Sequence, residues 1–87
     1  MNNYRKLYEE IEKEAIRRAI EKPDKIYQKD KTIFYIKKFL GKPFIVKAIE
    51  NHSKNLEIQN WDFAVDKKGN PTKLFGEYFN KVLEGEI

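Results

Sequence analysis

The sequence predicts an α+β domain in the order helix, three antiparallel strands, helix (αβββα), and three observations carry that prediction. Apolar residues recur at three- and four-residue spacing from Tyr4 to Ala19. β-Branched and aromatic residues then dominate from Thr32 to Val65, interrupted by short polar clusters. A second helical stripe, Leu74 to Leu83, follows the turn-rich run Lys67-Lys68-Gly69-Asn70-Pro71. The switch from a period of 3.6 to a period of two and back is the signature of helices flanking a sheet. Both helices most simply cover one face of that sheet, so the expected architecture has two layers.

The first helix is amphipathic. Tyr4, Leu7, Tyr8, Ile11, Ala15 and Ala19 form its stripe, and Glu9 with Lys13 and Glu14 with Arg18 are favourable i, i+4 pairs. Asn2 or Asn3 supplies a cap and Pro23 a stop. Ile16 and Ile20 lie off the stripe and widen the apolar face toward the C-terminal end, which marks that end for deeper burial. The polar segment Asp24 to Asp30 reads as a loop pinned by Ile26 and Tyr27.

Residues 31–40 contain Thr32-Ile33-Phe34-Tyr35-Ile36, whose β-branched and aromatic side chains favour a strand despite helix-like punctuation at Asp30, Gly41 and Pro43. Gly41-Lys42 is read as a two-residue hairpin turn into a second strand, Phe44 to Ile49, apolar on both faces at its centre. Asn51 to Asn55 make the next turn.

The third strand runs from Leu56 to Asp66, and its pattern jumps phase. Leu56 and Ile58 are followed by Trp61, Phe63 and Val65, so one extra residue separates the two sets across Gln59 and Asn60. A β-bulge that re-aims the chain's one tryptophan accounts for the skip. Asn70 as cap and Pro71 at the first helical position then start a final helix, with Leu74, Phe75, Tyr78, Phe79, Val82 and Leu83 as its buried stripe and Gly85 as its end. Gly76 inside that helix is expected to permit close approach to the sheet.

Composition bounds the function. The 87 residues are expected to form one domain, 1–87, with 40% hydrophobic and 37% charged residues. No apolar run approaches the ~18 residues of a membrane span, and the charged start does not read as a signal peptide, so a cytoplasmic location is expected. Cysteine is absent, which removes disulfides, thiolate metal sites and cysteine nucleophiles. His52 is the one histidine; its neighbours Glu50 and Ser53 are too close in sequence to converge with it as a catalytic line. The glycines are scattered, and no phosphate-cradling loop results. No catalytic residues, no metal site and no cofactor are therefore expected, and the chain reads as a non-enzymatic module.

The formal net charge is +4. Its excess falls in the middle third, where Lys31, Lys37, Lys38, Lys42, Lys47 and Lys54 face only Asp30 and Glu50. A protein partner is the favoured expectation, recognised through the sheet's open face and the Lys67 to Asn70 turn. The candidate partner-binding residues are Tyr35, Lys37, Lys38, Trp61, Lys67 and Lys68, with Tyr4 and Tyr8 as further exposed aromatics. The alternative is nucleic acid, bound by the lysine-rich sheet region.

Three resemblances accompany this reading. The αβββα order is similar to that of double-stranded-RNA-binding domains, whose second helix opens with a phosphate-straddling lysine cluster; here Lys73 stands at its start and Lys67 and Lys68 precede it. Glu57-Ile58-Gln59 on a strand distantly resembles the acidic-x-lysine strand of restriction-endonuclease-like nucleases, with glutamine in place of the lysine, which implies a metal-dependent nuclease as a remote alternative. In size and character the chain resembles small phage or mobile-element accessory proteins, including inhibitors that occlude a host machine.

Overall fold

Two strands that are apolar on both faces decide the architecture. The computed structural model describes the backbone of residues 3–84 and the side chains of residues 7–83. Its elements are α1 (Asn3–Glu21), β1 (Lys25–Lys29), β2 (Thr32–Phe39), β3 (Lys42–Glu50), β4 (Leu56–Phe63) and α2 (Lys73–Glu84). The strands form one antiparallel sheet in the order β1-β2-β3-β4, so β2 and β3 are central and β1 and β4 are edges. The class is α+β as expected, with four strands where three were expected.

Side chains alternate across a strand, so each central strand feeds both faces. On one face Ile33 and Tyr35 of β2 join Phe44, Val46 and Ala48 of β3 beneath Ala15, Ile16 and Ala19 of α1. On the other, Phe34 and Ile45 pack with Ala64 and with Leu74 and Tyr78 of α2. The helices thus lie on opposite faces in three layers, which corrects the two-layer expectation and leaves no open sheet face. A sheet with apolar residues on both sides must be covered on both sides to remove that surface from water.

The fourth strand is β1, which the polar composition of residues 24–30 disguised as a loop. An edge strand needs only one anchored face. Tyr27 is that anchor: its ring meets Tyr78 edge-on at 6.2 Å, and its hydroxyl donates to the Lys81 carbonyl of α2. Ile26 remains exposed. The Asp24 carboxylate ties the start of β1 to β2 by accepting the Lys38 backbone N–H at 2.8 Å.

Turn positions shift by a residue or two from the sequence reading. Leu40-Gly41 forms the β2–β3 turn in place of Gly41-Lys42, because Phe39 pairs with Lys42. Both turn residues have positive φ, 55° and 78°, as a type I′ hairpin turn requires. The bulge in β4 is present: Lys47 pairs with Asn60 and Ala48 with Ile58, so Gln59 is the inserted residue. Leu56, Ile58, Trp61 and Phe63 consequently share the α1 face. The strand ends at Phe63, since Ala64 turns into the α2-side core and Val65 makes an isolated bridge to Pro71.

That bridge, with the Asp66 N–H bonded to the Asn70 carbonyl, holds Asn70 and Pro71 outside the helix. Thr72 is the actual cap of α2: its Oγ1 accepts the Phe75 N–H at 3.3 Å and donates to the Phe63 carbonyl at 2.8 Å. Phe79 and Leu83, assigned to the buried stripe, are exposed. In α1 the Glu14–Arg18 pair forms at 2.8 Å, Ile16 is buried and Ile20 packs beside it. The expected cap at Asn2 and the stop at Gly85 lie outside the described residues, as does the Tyr4 side chain. Among the described residues no helix is long and apolar enough to cross a membrane.

Gly76 does not mediate close packing, because a Cβ built there meets nothing within 4 Å. Gly76→Ala is therefore expected to stabilise the protein by about 0.5–1 kcal/mol through helix propensity alone, read as a higher denaturation midpoint. Phe34→Ala, at a fully buried position, is expected to cost about 3–5 kcal/mol in the same titration.

Candidate functional site

A cleft opens beneath the N-terminal half of α1. Ala15 and Ala19 bring the C-terminal half of the helix close to β2 and β3, whereas Leu7, Tyr8 and Ile11 on the same side remain exposed. Facing them are the β2–β3 turn and β4. The cleft encloses about 540 Å³, with Phe39, Phe44 and Phe63 as its floor and Leu40, Trp61 and Tyr8 at its rim. The floor is a ladder of rings, Phe39 to Phe44 at 6.1 Å and Phe44 to Phe63 at 5.3 Å, the latter edge-on.

Trp61 reaches the cleft because of the bulge. Were Gln59 paired as a regular strand residue, the alternation set by Leu56 and Ile58 would send the indole to the α2 face. Its side is fixed further by a hydrogen bond from Nε1–H to Glu12 Oε2 of α1, 3.0 Å long. The residue is 36% exposed, so a large, oriented aromatic surface remains open to solvent.

Leu40 is the most unusual residue of the rim. It is 77% exposed and holds φ at +55°, a region that bulky L-residues rarely occupy. Both properties are unfavourable for folding, and Asn or Gly at this turn position would avoid both.

The other candidates are dispersed. Tyr35 is 8% exposed and belongs to the core under α1, so its ring is withdrawn from any partner; this corrects its place in the candidate set. Burial, followed by the charge of Glu50, raises its phenol above the ordinary value. Lys37 and Lys38 occupy successive strand positions and so point to opposite faces. Lys37 lies 3.7 Å from Asp24, whose carboxyl is lowered first by the Lys38 N–H bond and then by nearby lysine charge. Lys67 and Lys68 are exposed in a turn closed by Asp66 Oδ1, which accepts the Lys68 and Asn70 N–H groups at 2.8 and 2.9 Å. Lys67 lines a hollow that adjoins the cleft through Leu40 and Phe63.

The six middle-third lysines share no face either. Lys47 is on the α2 side and bonds Glu77 at 2.6 Å, and Lys31 and Lys54 sit in the turns at the sheet's opposite end from Lys42. One basic group, Arg17, Arg18, Lys22 and Lys37, is interleaved with carboxylates: Arg17 pairs with Glu14 and Glu21, Arg18 with Glu14 and Lys37 with Asp24. The Arg17 and Arg18 bonds hold the Glu14 carboxyl below its usual range. Glu50 and Glu57, the acidic residues nearest a nuclease-like strand, point to opposite faces, because Glu50 pairs with Leu56 and Ile49 with Glu57. His52 is exposed in the β3–β4 turn. Among the described residues no group of three or more acidic or histidine side chains is placed to hold a metal ion.

Sequence reasoning located Trp61 and its bulge but missed Leu40, Glu12 and Asp62 at the cleft, and it assigned Leu7 and Ile11 to the core. Leu40 was legible only through the turn register; placing the turn one residue earlier puts a leucine where Asn is favoured. In comparison with known proteins the chain matches no family model, no curated protein and no solved structure.

Tyr35 offers a check on the core assignment. A raised phenol value means that its contribution to stability is complete below about pH 10, the ordinary value, and is lost as pH rises through the folded value. Denaturation measured across that range is expected to show a steep alkaline loss in the parent protein and a shallower one in Tyr35→Phe.

Proposed function

We propose that this protein is a non-enzymatic binding module that recognises a protein partner through the cleft between α1, the β2–β3 turn and β4. One observation carries this reading: Leu40 is both exposed and held at positive φ on the rim of an apolar cleft. Backbone strain concentrated at an exposed apolar residue is a feature of binding surfaces rather than of packing. The oriented, part-exposed Trp61 beside it has the character of an interface anchor. An accessory or inhibitory protein fits this description, since occupying a surface of a target requires no chemistry of its own.

Nucleic acid is less well supported. Lysines on opposite faces, several of them paired with carboxylates, do not form the continuous positive surface that phosphate binding uses. The metal-dependent nuclease reading has the least support, because Glu50 and Glu57 diverge.

Leu40→Asn separates folding from function. It relieves strain in a type I′ turn and is expected to raise stability by about 1 kcal/mol, while removing an apolar contact from the rim. In pull-downs treated with nuclease, the parent is expected to retain a specific protein that Leu40→Asn and Trp61→Ala lose. Retention of nucleic acid, abolished by moderate salt and indifferent to Leu40, is the contrary result and shifts the assignment to the alternative.

A further inference from the structure

Charge at the cleft runs against the charge of the chain. The protein carries a net +4, yet the charged residues at the cleft are both acidic: Glu12 presents its side chain from α1, whereas Asp62 lines the cleft at the β4 edge with its side chain on the face of its partner Ile45. Glu12 is fixed in place, because its Oε2 accepts the Trp61 indole N–H. A carboxylate held at the N–H edge of an indole and over an apolar floor attracts a cation through its own charge, and the face of the same ring offers a second, weaker attraction.

The backbone edge of β4 narrows the mode of docking. Ala64 N–H bonds the Pro43 carbonyl of β3, so by alternation the Trp61 and Phe63 N–H groups point away from the sheet. Both are already occupied: Asn60 Oδ1 accepts the Trp61 N–H at 2.8 Å, and Asp62 Oδ1 accepts the Phe63 N–H at 2.7 Å. A partner strand added along this half of β4 finds its donors taken. Recognition falls to the side chains of the cleft.

Resting on the protein-binding reading above, we infer that the cleft's occupant is a protein segment presenting an apolar anchor next to an arginine or lysine. The anchor fills the space between Ile11, Leu40 and the phenylalanine floor. The cation lies against the Glu12 carboxylate and the Trp61 ring. A basic protein with an acidic cleft thereby discriminates against acidic partners while attracting a basic segment locally.

The test uses the full chain and a displayed library of random linear peptides, selected on the parent protein and counter-selected on Leu40→Asn. Trp61 is the chain's one tryptophan, so its emission reports occupancy of the cleft directly. Selected peptides are expected to carry Lys or Arg beside a large apolar residue and to shift that emission when synthesised. Their affinity is expected to fall about five- to tenfold in Glu12→Gln, which keeps an acceptor for the indole and removes the charge, and to weaken with added salt. Circular dichroism and melting of each variant establish that it is folded. Cleft-dependent peptides without basic enrichment, or with unchanged affinity for Glu12→Gln, overturn this inference and leave the protein-binding reading standing. Failure to recover any peptide that depends on Leu40 and Trp61 overturns both. A concentration-dependent dimer that Leu40→Asn abolishes assigns the cleft to a second copy of the chain and overturns the inference as well.

Discussion

The β2–β3 hairpin is apolar on both of its faces, and every other element is placed by the need to cover it. Ile33, Tyr35, Phe44, Val46 and Ala48 demand a helix on one side, Phe34 and Ile45 on the other. Each fully buried side chain of this kind is worth about 1.5–3 kcal/mol relative to exposure, and hairpin contacts are local in sequence. The chain meets both demands with one helix before the sheet and one after it. Edge strands then complete the backbone bonds of the hairpin on either side, β1 with lysines at both its ends and β4 with a bulge. These are two different ways of blunting an edge.

Position along α1 connects this constraint to the cleft. The helix approaches the sheet through alanines, Ala15 and Ala19, whose small side chains allow close contact with Val46 and Ala48. Toward its start the same face carries Leu7, Tyr8 and Ile11, which are too large to lie as close and remain exposed across from Phe39, Phe44, Trp61 and Phe63. The cleft is the gap between those residues and the turn end of the sheet. It is therefore a consequence of changing residue size along one helical stripe, with the floor supplied by the same phenylalanines that close the core.

What the sequence displayed and what it concealed follow from the range of the interactions involved. The Trp61 bulge was legible, because a phase jump in alternation is a local property of residues 56–65. The strand at 32–39 was legible through β-branched and aromatic density. The two-sided character of β3 was also visible, yet its consequence for helix placement depends on whether β2 shares it, and Phe34 and Ile36 needed to be read beside Ile45 to show that it does. β1 was concealed, since Lys25, Gln28 and Lys29 give an edge strand the composition of a loop. The exposure of Phe79, Leu83, Leu7 and Ile11 could not be read from periodicity, which identifies a stripe but not how far the opposing surface extends under it. Charge was the least legible property of all: lysines consecutive in sequence at 37 and 38 diverge in space, Lys37 finds its carboxylate in Asp24 before β1, and Lys47 finds its own in Glu77 of α2.

The cleft and the stability of the hairpin are in tension at one residue. A type I′ turn joins β2 to β3 with the twist that central antiparallel strands favour, and it requires positive φ at both of its residues. Gly41 satisfies that requirement without penalty, whereas Leu40 satisfies it against its own steric preference. Folding alone gives no reason for leucine there, because its side chain reaches solvent and not the core. Recognition does give one: the turn lifts position 40 to the rim of the cleft, opposite Tyr8 and close to Trp61, where only an apolar side chain extends the binding surface. On the proposed reading the two-residue turn between the central strands is also a display platform, so the strain at Leu40 and the exposure of Trp61 have one origin in a site built onto the hairpin that organises the protein.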